Sequence, residues 1–568
     1  MWTSTLELDP ARVLLTQLLG RVWRGAYFAS FAPLQVQNLP RQPLPAADWV
    51  RVRNRLAGIC GSDLHLVYAD GDFRIAPAAL PGHGRSYPGH EVVGEVIEVG
   101  DRVQHLSVGD RVVLAYGPNC LSTGIEPPCR SCAQGNYGLC EQGKLPGVQP
   151  IGGGWSEEML LHEQQLFRIS PEISDEQAVL LEPSSVAVHA VLRHLPQPDD
   201  NVLIIGAGTI GLLILQAVRA LAPQAKISAM ARYAFQVEQA TRMGARHIIY
   251  PQDSYAGVQR ATGAKLYKGL LGNSMLLGGY DVIYDTVGTR RTVHDALRWA
   301  RAGSTVVLVG LNLHLMRIDL TPVWYQEINL IGTLGHGMET WPIGSQEQRP
   351  TFAIAAEMIE QGQLDPEQLI THRFALYEYR HALDMLRHKS RNRAIKVVFD
   401  YSLQPASVVP NVRTAAQWRP IPDVGYLSPR ESPRSMDVDK RIGQPLADKS
   451  AVGGDKSAPT TRSGVDDEDK TVVVAMFTPS LSQRKNRGPK AKVPDDPQQN
   501  QSNMTIPPGS APTATNGTPA ALLHIENLSN LQGQVPAKDT RTSGTRGNND
   551  VPTVSDVYMD DPGEETCQ

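Results

Sequence analysis

No apolar run in this 568-residue chain approaches the roughly 18 residues a membrane-spanning helix needs, which excludes an integral membrane protein. A dominant charge sign is also lacking. The 54 Lys+Arg stand against 58 Asp+Glu, a formal net charge of −4, which argues against a nucleic-acid partner or a basic membrane-surface protein. The N-terminal segment carries Glu7 and Asp9 and has no compact apolar stretch before a small-residue cleavage site, so no secretory leader is expected.

Aromatic residues thin out toward the C-terminus. Residues 401–568 hold 19 of the 42 prolines, but their only aromatics are Tyr401, Trp418, Tyr426, Phe477 and Tyr558. Stretches such as Ser463–Lys470 and Gln498–Asn503 carry no apolar period. They cannot bury enough surface to offset a chain entropy of about 1–2 kcal/mol per residue, which predicts a disordered tail over 401–568. The short apolar run Val472–Phe477 is a candidate docking segment within it. The folded protein is expected in residues 1–400.

Cysteine is scarce and clustered: five of the six fall between Cys60 and Cys140, and Cys567 stands alone. In a chain of this length that distribution does not suit an extracellular disulfide framework. Cys129-x2-Cys132-x7-Cys140 has the spacing of a metal knuckle, because thiolates close together in a tight turn can converge on one tetrahedral ion. Ligands that must stay as thiolates imply a reducing compartment, hence a cytoplasmic location.

From Asn201 the pattern alternates strand and helix. Asn201–Ile205 is a continuous apolar run suited to a strand buried on both faces. Further strands are expected at Lys226–Ala231, His247–Tyr250, Asp281–Val287, Ser304–Gly310 and Asn329–Leu334, with helices at Leu212–Leu221, Phe235–Met243 and Thr292–Arg301. Six strands with interleaved helices predict a doubly wound parallel sheet. Before Asn201, short β-like runs (Trp49–Val52, Val92–Val99, Arg111–Leu114) broken by Gly, Pro and Asp predict a mostly β domain with metal-binding loops. Helical Phe352–Glu360 and strand-like Ala394–Phe399 are expected to return to it.

Gly206-Ala-Gly208-Thr209-Ile210-Gly211 follows the first of those strands and opens a helix, the context that makes the motif a phosphate site. Gly206 permits the tight turn, Gly208 lets the backbone approach a pyrophosphate, and Gly211 allows close helix–strand contact. The helix N-terminus, with Thr209 and Ile210 in its first turn, supplies free N–H donors. A second constellation is Cys60-Gly-Ser62-Asp63-Leu-His65, followed by Gly89-His90-Glu91. Thiolate, imidazole and carboxylate form a zinc-type ligand set.

With these motifs in this order, residues 30–400 resemble the zinc-containing medium-chain alcohol dehydrogenases, which include sorbitol, glucose and threonine dehydrogenases. The resemblance implies a GroES-like mostly β catalytic domain over 1–185, a Rossmann domain over 186–335 and a return to the catalytic domain over 336–400. It makes Cys60 and His90 catalytic-zinc ligands and Glu91 a neighbouring carboxylate able to enter the zinc shell. The segment Leu181-Glu182-Pro183-Ser-Ser-Val resembles that of the polyol and glucose branch, where Glu182 takes the third ligand position. Pro81-Gly-His83-Gly nearly copies the histidine motif, but His83 lacks the following Glu and strand. A structural zinc would take Cys129, Cys132 and Cys140. Cys120, displaced from the family spacing, is the cysteine near enough to supply the fourth thiolate.

The implied reaction is reversible oxidation of an alcohol to a carbonyl. Ser62 stands at the family's proton-relay hydroxyl, His65 could carry the proton onward, and Asp63 would orient a ligand imidazole. The resemblance also implies a small alcohol or carbonyl substrate and a homodimer or homotetramer. Ala231 stands where NAD enzymes have an acidic residue and Arg232 follows it, so NADP is expected in preference to NAD. The alternatives are a zinc-free quinone or enone reductase of the same superfold and a catalytically silent scaffold using the tail.

Overall fold

The computed structural model describes residues 1–80, 85–144 and 149–403. Of the expected disordered tail, Tyr401–Leu403 instead form a short 3-10 turn held by the Tyr401 hydroxyl, which donates to the Gly154 carbonyl; the rest, with Val472–Phe477 and Cys567, and the decoy His83 lie outside the described residues.

Two sheets carry the architecture. The six-stranded one is parallel, in the order His247–Ile249, Lys226–Met230, Asn201–Ile205, Tyr280–Asp285, Ala300–Leu308 and Asn329–Gly332. The strand that comes first in sequence, Asn201–Ile205, is thus central, and the order reverses beside it, which opens a crevice at the strands' carboxyl ends. All six expected strands are present. Asn201–Ile205 is buried from Val202 onward because helices cover both faces of the sheet. One of these, Thr209–Leu221, buries Leu212–Val218 against helix Leu181–Arg193 and the sheet.

The other large sheet is mostly antiparallel. It runs Ile370–Phe374, Lys396–Asp400, Trp49–Gly58, Val92–Val99, Arg111–Leu114 and Leu166–Arg168, with Glu158–His162 also pairing on Trp49–Gly58. The strand expected at Ala394–Phe399 forms as Lys396–Asp400 and pairs antiparallel with Leu56–Gly58, which returns this late segment to the sheet of the early strands. Helix Thr351–Glu360 packs on helix Leu181–Arg193. A core of Val50, Val52, Val92, Trp155, Met159, Val397 and Phe399 fills this sheet.

Two features had no period to announce them. Residues 2–38 form an edge sheet, in which Trp2–Glu7 pairs with Leu34–Asn38 and with Arg85–Ser86. Between its strands runs helix Pro10–Gly20, which Asp9 starts by accepting from the N–H groups of Ala11 (3.0 Å) and Arg12 (3.1 Å), with Pro10 at the first helical position. The second is a separate two-stranded hairpin, Lys265–Lys268 with Ser274–Leu277. Among the described residues no helix is long and apolar enough to cross a membrane.

Candidate active site

Strand Trp49–Gly58 delivers the chain to Cys60, which caps helix Gly61–Tyr68. Asp63, at the third position of that helix, folds back so that its carboxylate accepts from the N–H groups of Cys60 (3.0 Å) and Gly89 (3.3 Å). It also lies 3.7 Å from His90 Nδ1, so one buried carboxylate ties the cysteine loop to the histidine loop. Burial pushes Asp63 up, but the His90 imidazole and the two N–H donors outweigh it and hold the carboxyl below its ordinary value. The histidine turn itself needs glycine. Gly89 has φ +87°, and a Cβ there would come within 2.4 Å of the Trp155 ring.

Cys60, His90 and Glu91 present one ligand atom each, all within 4.8 Å of one another. Glu91 is 1 % exposed, and both its oxygens accept from Lys396 Nζ, at 2.7 and 2.6 Å. Lys396 also donates to the Ile59 carbonyl at 3.2 Å. Burial would pull Lys396 down, but the charges of Glu91 and Cys60 outweigh it and keep the ammonium protonated. The pair leaves no room beside it: a Cβ on Gly58 would sit 2.0 Å from Glu91 Oε2.

Glu182, the second residue of helix Leu181–Arg193, lies close enough to the same cluster to interact with His90, Glu91, Lys396 and Asp63. Its carboxyl is pushed up to about 7, chiefly by burial; Glu91 and Asp63 add to the rise, and His90 and Lys396 oppose it. It is not among the three groups that converge within 4.8 Å. Ser62 and His65 lie three residues apart on helix Gly61–Tyr68, hence on one face. His65 is buried, and its Nδ1 meets Asp70 Oδ1 at 2.7 Å.

The four cysteines of the lobe converge as a second set, with Cys120, Cys129, Cys132 and Cys140 all within 4.8 Å. Cys120 Sγ lies 3.7 Å from Cys140 Sγ, close to the roughly 3.8 Å edge of a tetrahedron with 2.3 Å zinc–sulfur bonds. Backbone N–H groups point at these sulfurs, from Cys129 to Cys120 and from Gln142 to Cys140, each at 3.4 Å. The Cys129 thiol is lowered to about 7, first by the Cys132 N–H and then by that of Glu141. The donor set fits a closed zinc site, and the loop through Gly124 brings Cys120 into it despite its unusual spacing.

Each glycine of the phosphate-type loop has its own steric reason. Gly206 has φ +97°, and a Cβ on it would meet Val287 at 2.6 Å. A Cβ on Gly211 would strike the Gly206 carbonyl at 1.8 Å. Around Gly208 nothing lies within 4 Å, so that backbone stands open to a ligand at the helix N-terminus, where Thr209 and Ile210 follow. Ala231 is buried just past strand Lys226–Met230, while Arg232 is exposed with its guanidinium 5.6 Å from the Tyr233 ring.

Lys396 and Asp70 were not singled out from the residues alone. A signal for the first existed: one lysine inside the apolar run Ala394-Ile-Lys-Val-Val-Phe399 has to find a buried counter-charge.

The alcohol dehydrogenase GroES-like domain family matches residues 46–171, and the zinc-binding dehydrogenase family matches residues 209–347. The chain is 31% identical to a sorbitol dehydrogenase of Arabidopsis thaliana over 362 residues, 62% of this chain and 88% of that protein. It is also 31% identical to an L-idonate 5-dehydrogenase of Vitis vinifera, over 66% of this chain and 94% of the relative. The crystal structure of 2R,3R-butanediol dehydrogenase from Bacillus subtilis superposes with a TM-score of 0.50 at 25% identity, covering 65% of this chain and 96% of that one. The glycine loop at a sheet reversal, the mixed cysteine–histidine–carboxylate cluster and these relatives agree, and the chain belongs to the zinc-binding alcohol dehydrogenase family, among its polyol dehydrogenases.

Proposed function

We propose that the protein transfers hydride reversibly between a carbinol carbon of a polyol, sugar or amino alcohol and NAD(P), using a catalytic zinc held by Cys60, His90 and a carboxylate. The observation that carries this reading is the convergence of Cys60, His90 and Glu91 beside the helix bearing Ser62 and His65. Thiolate, imidazole and carboxylate suit zinc, which when bound supplies Lewis acidity to the substrate oxygen. Lys396 already engages both oxygens of Glu91, which favours Glu182 as the third ligand. Asp63 keeps the His90 ring in orientation. Ser62 Oγ takes the alcohol proton and His65, one helical turn on, passes it toward solvent, its ring held by Asp70. The four-thiolate lobe serves structure, since a closed set keeps no position for substrate.

The exposed guanidinium of Arg232 and the missing carboxylate at Ala231 favour NADP over NAD, because a 2′-phosphate would gain charge-assisted hydrogen bonds and meet no repulsion. The open edge strand Asn329–Gly332, bordered by exposed Trp324, Tyr325 and Leu334, suits pairing with a second copy in a dimer or tetramer. Reduced thiols in both clusters fit a cytoplasmic enzyme.

The deciding experiment is a panel of alcohols, polyols, sugars and threonine assayed with NADP and with NAD, with zinc content measured on the same preparation. Polyol turnover that is lost with zinc is expected. Turnover in zinc-free protein would replace this reading with the reductase of the same superfold. Arg232→Ala should lower kcat/KM for NADP about 10- to 100-fold and leave NAD unchanged. A wild-type preference for NAD overturns the cofactor assignment alone.

A further inference from the structure

The hairpin Lys265–Lys268 with Ser274–Leu277 is anchored at its base and free at its tip. Leu276 is fully buried in the cluster that holds Trp299 and Ile283, and Tyr255 Oη donates to the Ser274 carbonyl at 3.0 Å. At the tip, Gly269-Leu270-Leu271-Gly272, the two leucines are 89% and 105% exposed. Leu271 sits at φ +57°, ψ +30°, a left-handed conformation that an L residue other than Gly or Asn adopts at a steric cost. Among the described residues its side chain is fully exposed, so packing there gains nothing from a leucine. Tyr267 and Leu277, 59% and 46% exposed, extend the apolar surface toward the base.

The chain as a whole has a net charge of −4 and is not a generally basic surface, but along the hairpin itself the charge has one sign. Lys265 and Lys268 flank the tip, and between Asp253 and Asp281 the chain holds no carboxylate at all. Two such hairpins would repel each other, which disfavours a second copy as the occupant. Leucines at the apex, a tyrosine behind them and lysines at the shoulders match the layers of an anionic bilayer surface: acyl chains, interface, headgroups.

We propose that this hairpin is a peripheral membrane-docking element that seats Leu270 and Leu271 in an anionic lipid surface while Lys265 and Lys268 meet the headgroups. The full-length protein should co-sediment with phosphatidylcholine–phosphatidylserine vesicles and not with phosphatidylcholine alone. Leu270→Ser/Leu271→Ser should weaken that binding about tenfold or more. Lys265→Ala/Lys268→Ala should weaken it about 10- to 30-fold at low salt. Both variants should keep the far-ultraviolet circular dichroism and melting profile of the parent, since none of the four side chains is buried. Failure to bind anionic vesicles overturns the proposal, as does binding that persists in the leucine variant. So does a leucine variant that changes only the oligomeric state, which would make the tip a protein contact. None of these outcomes bears on the dehydrogenase reading, which rests on the other face of the chemistry.

Discussion

The two cysteine-bearing clusters are built from overlapping chemistry and are suited to opposite roles. In the lobe, four thiols face one another, three of them buried, and backbone N–H groups close the remaining directions. At Cys60 the set is mixed. The His90 side chain is 41% exposed, and the nearest carboxylate is pinned by a buried lysine. Four like ligands exhaust a tetrahedral ion, whereas three unlike ones at an accessible edge leave a direction for a small molecule. The difference lies in what surrounds the sulfur.

The largest test of that contrast is metal removal by mutation. Cys60→Ala or His90→Ala should lower zinc from about two to about one per chain and cost at least about 10³ in kcat, with dinucleotide binding retained. Cys132→Ser should also lower zinc to about one per chain, but with kcat per folded molecule kept and the thermal midpoint lowered. If both variants lost activity and stability together, the clusters would not be separable. Next in size is Ser62→Ala, expected to keep its zinc and slow turnover about 10²–10⁴. An unchanged kcat would send the proton along another route.

The buried pair at Glu91 is a sharper probe, because it touches the open cluster and has no counterpart in the lobe. Lys396→Met strands a carboxylate and should destabilise the fold by about 3–5 kcal/mol in urea titration; Glu91→Gln/Lys396→Met should recover much of that loss. An additive double variant would mean the two side chains do not act as a pair.

The smallest effect concerns the aromatic packing beside the lobe. His336 is buried between Tyr116 and Phe352, and burial, opposed by the Ala115 backbone and aided by His189, lowers its pKa to about 4. The unfolded chain therefore binds a proton near pH 6.5 that the folded chain refuses until about pH 4. Stability contributed by this residue is full above pH 6.5 and is lost as pH falls through that window, on the order of 3 kcal/mol at most. Urea midpoints at pH 7.5 and 5 should differ less in His336→Gln than in the parent. An equal acid sensitivity would remove His336 from the account.

The parallel sheet was readable because each of its strands is a local apolar run and three of its helices a local period, helix Ser254–Thr262 going unread, and the glycine loop because its three steric demands fall within six residues. Cys129, Cys132 and Cys140 were readable from spacing for the same reason. The hairpin and the N-terminal helix were not, since their exposed leucines carry no core-facing period. Beyond Leu403 the disordered-tail expectation concerns residues outside those described.

What the sequence determined by itself is therefore short-range: turns that only glycine permits, caps such as Asp9 and Asp63, strands and helices with a buried face, and thiols close enough along the chain to share an ion. What tertiary structure alone decided is which distant groups share a desolvated space. Glu91 and Lys396 are 305 residues apart, yet their charges meet because Lys396–Asp400 pairs beside Trp49–Gly58. Cys120 joins its set through a loop of atypical length, and Glu182 approaches His90 from a helix 92 residues further along the chain. Burial makes each of these encounters strong, and no local pattern records burial across such separations, because it is a property of the assembled sheets.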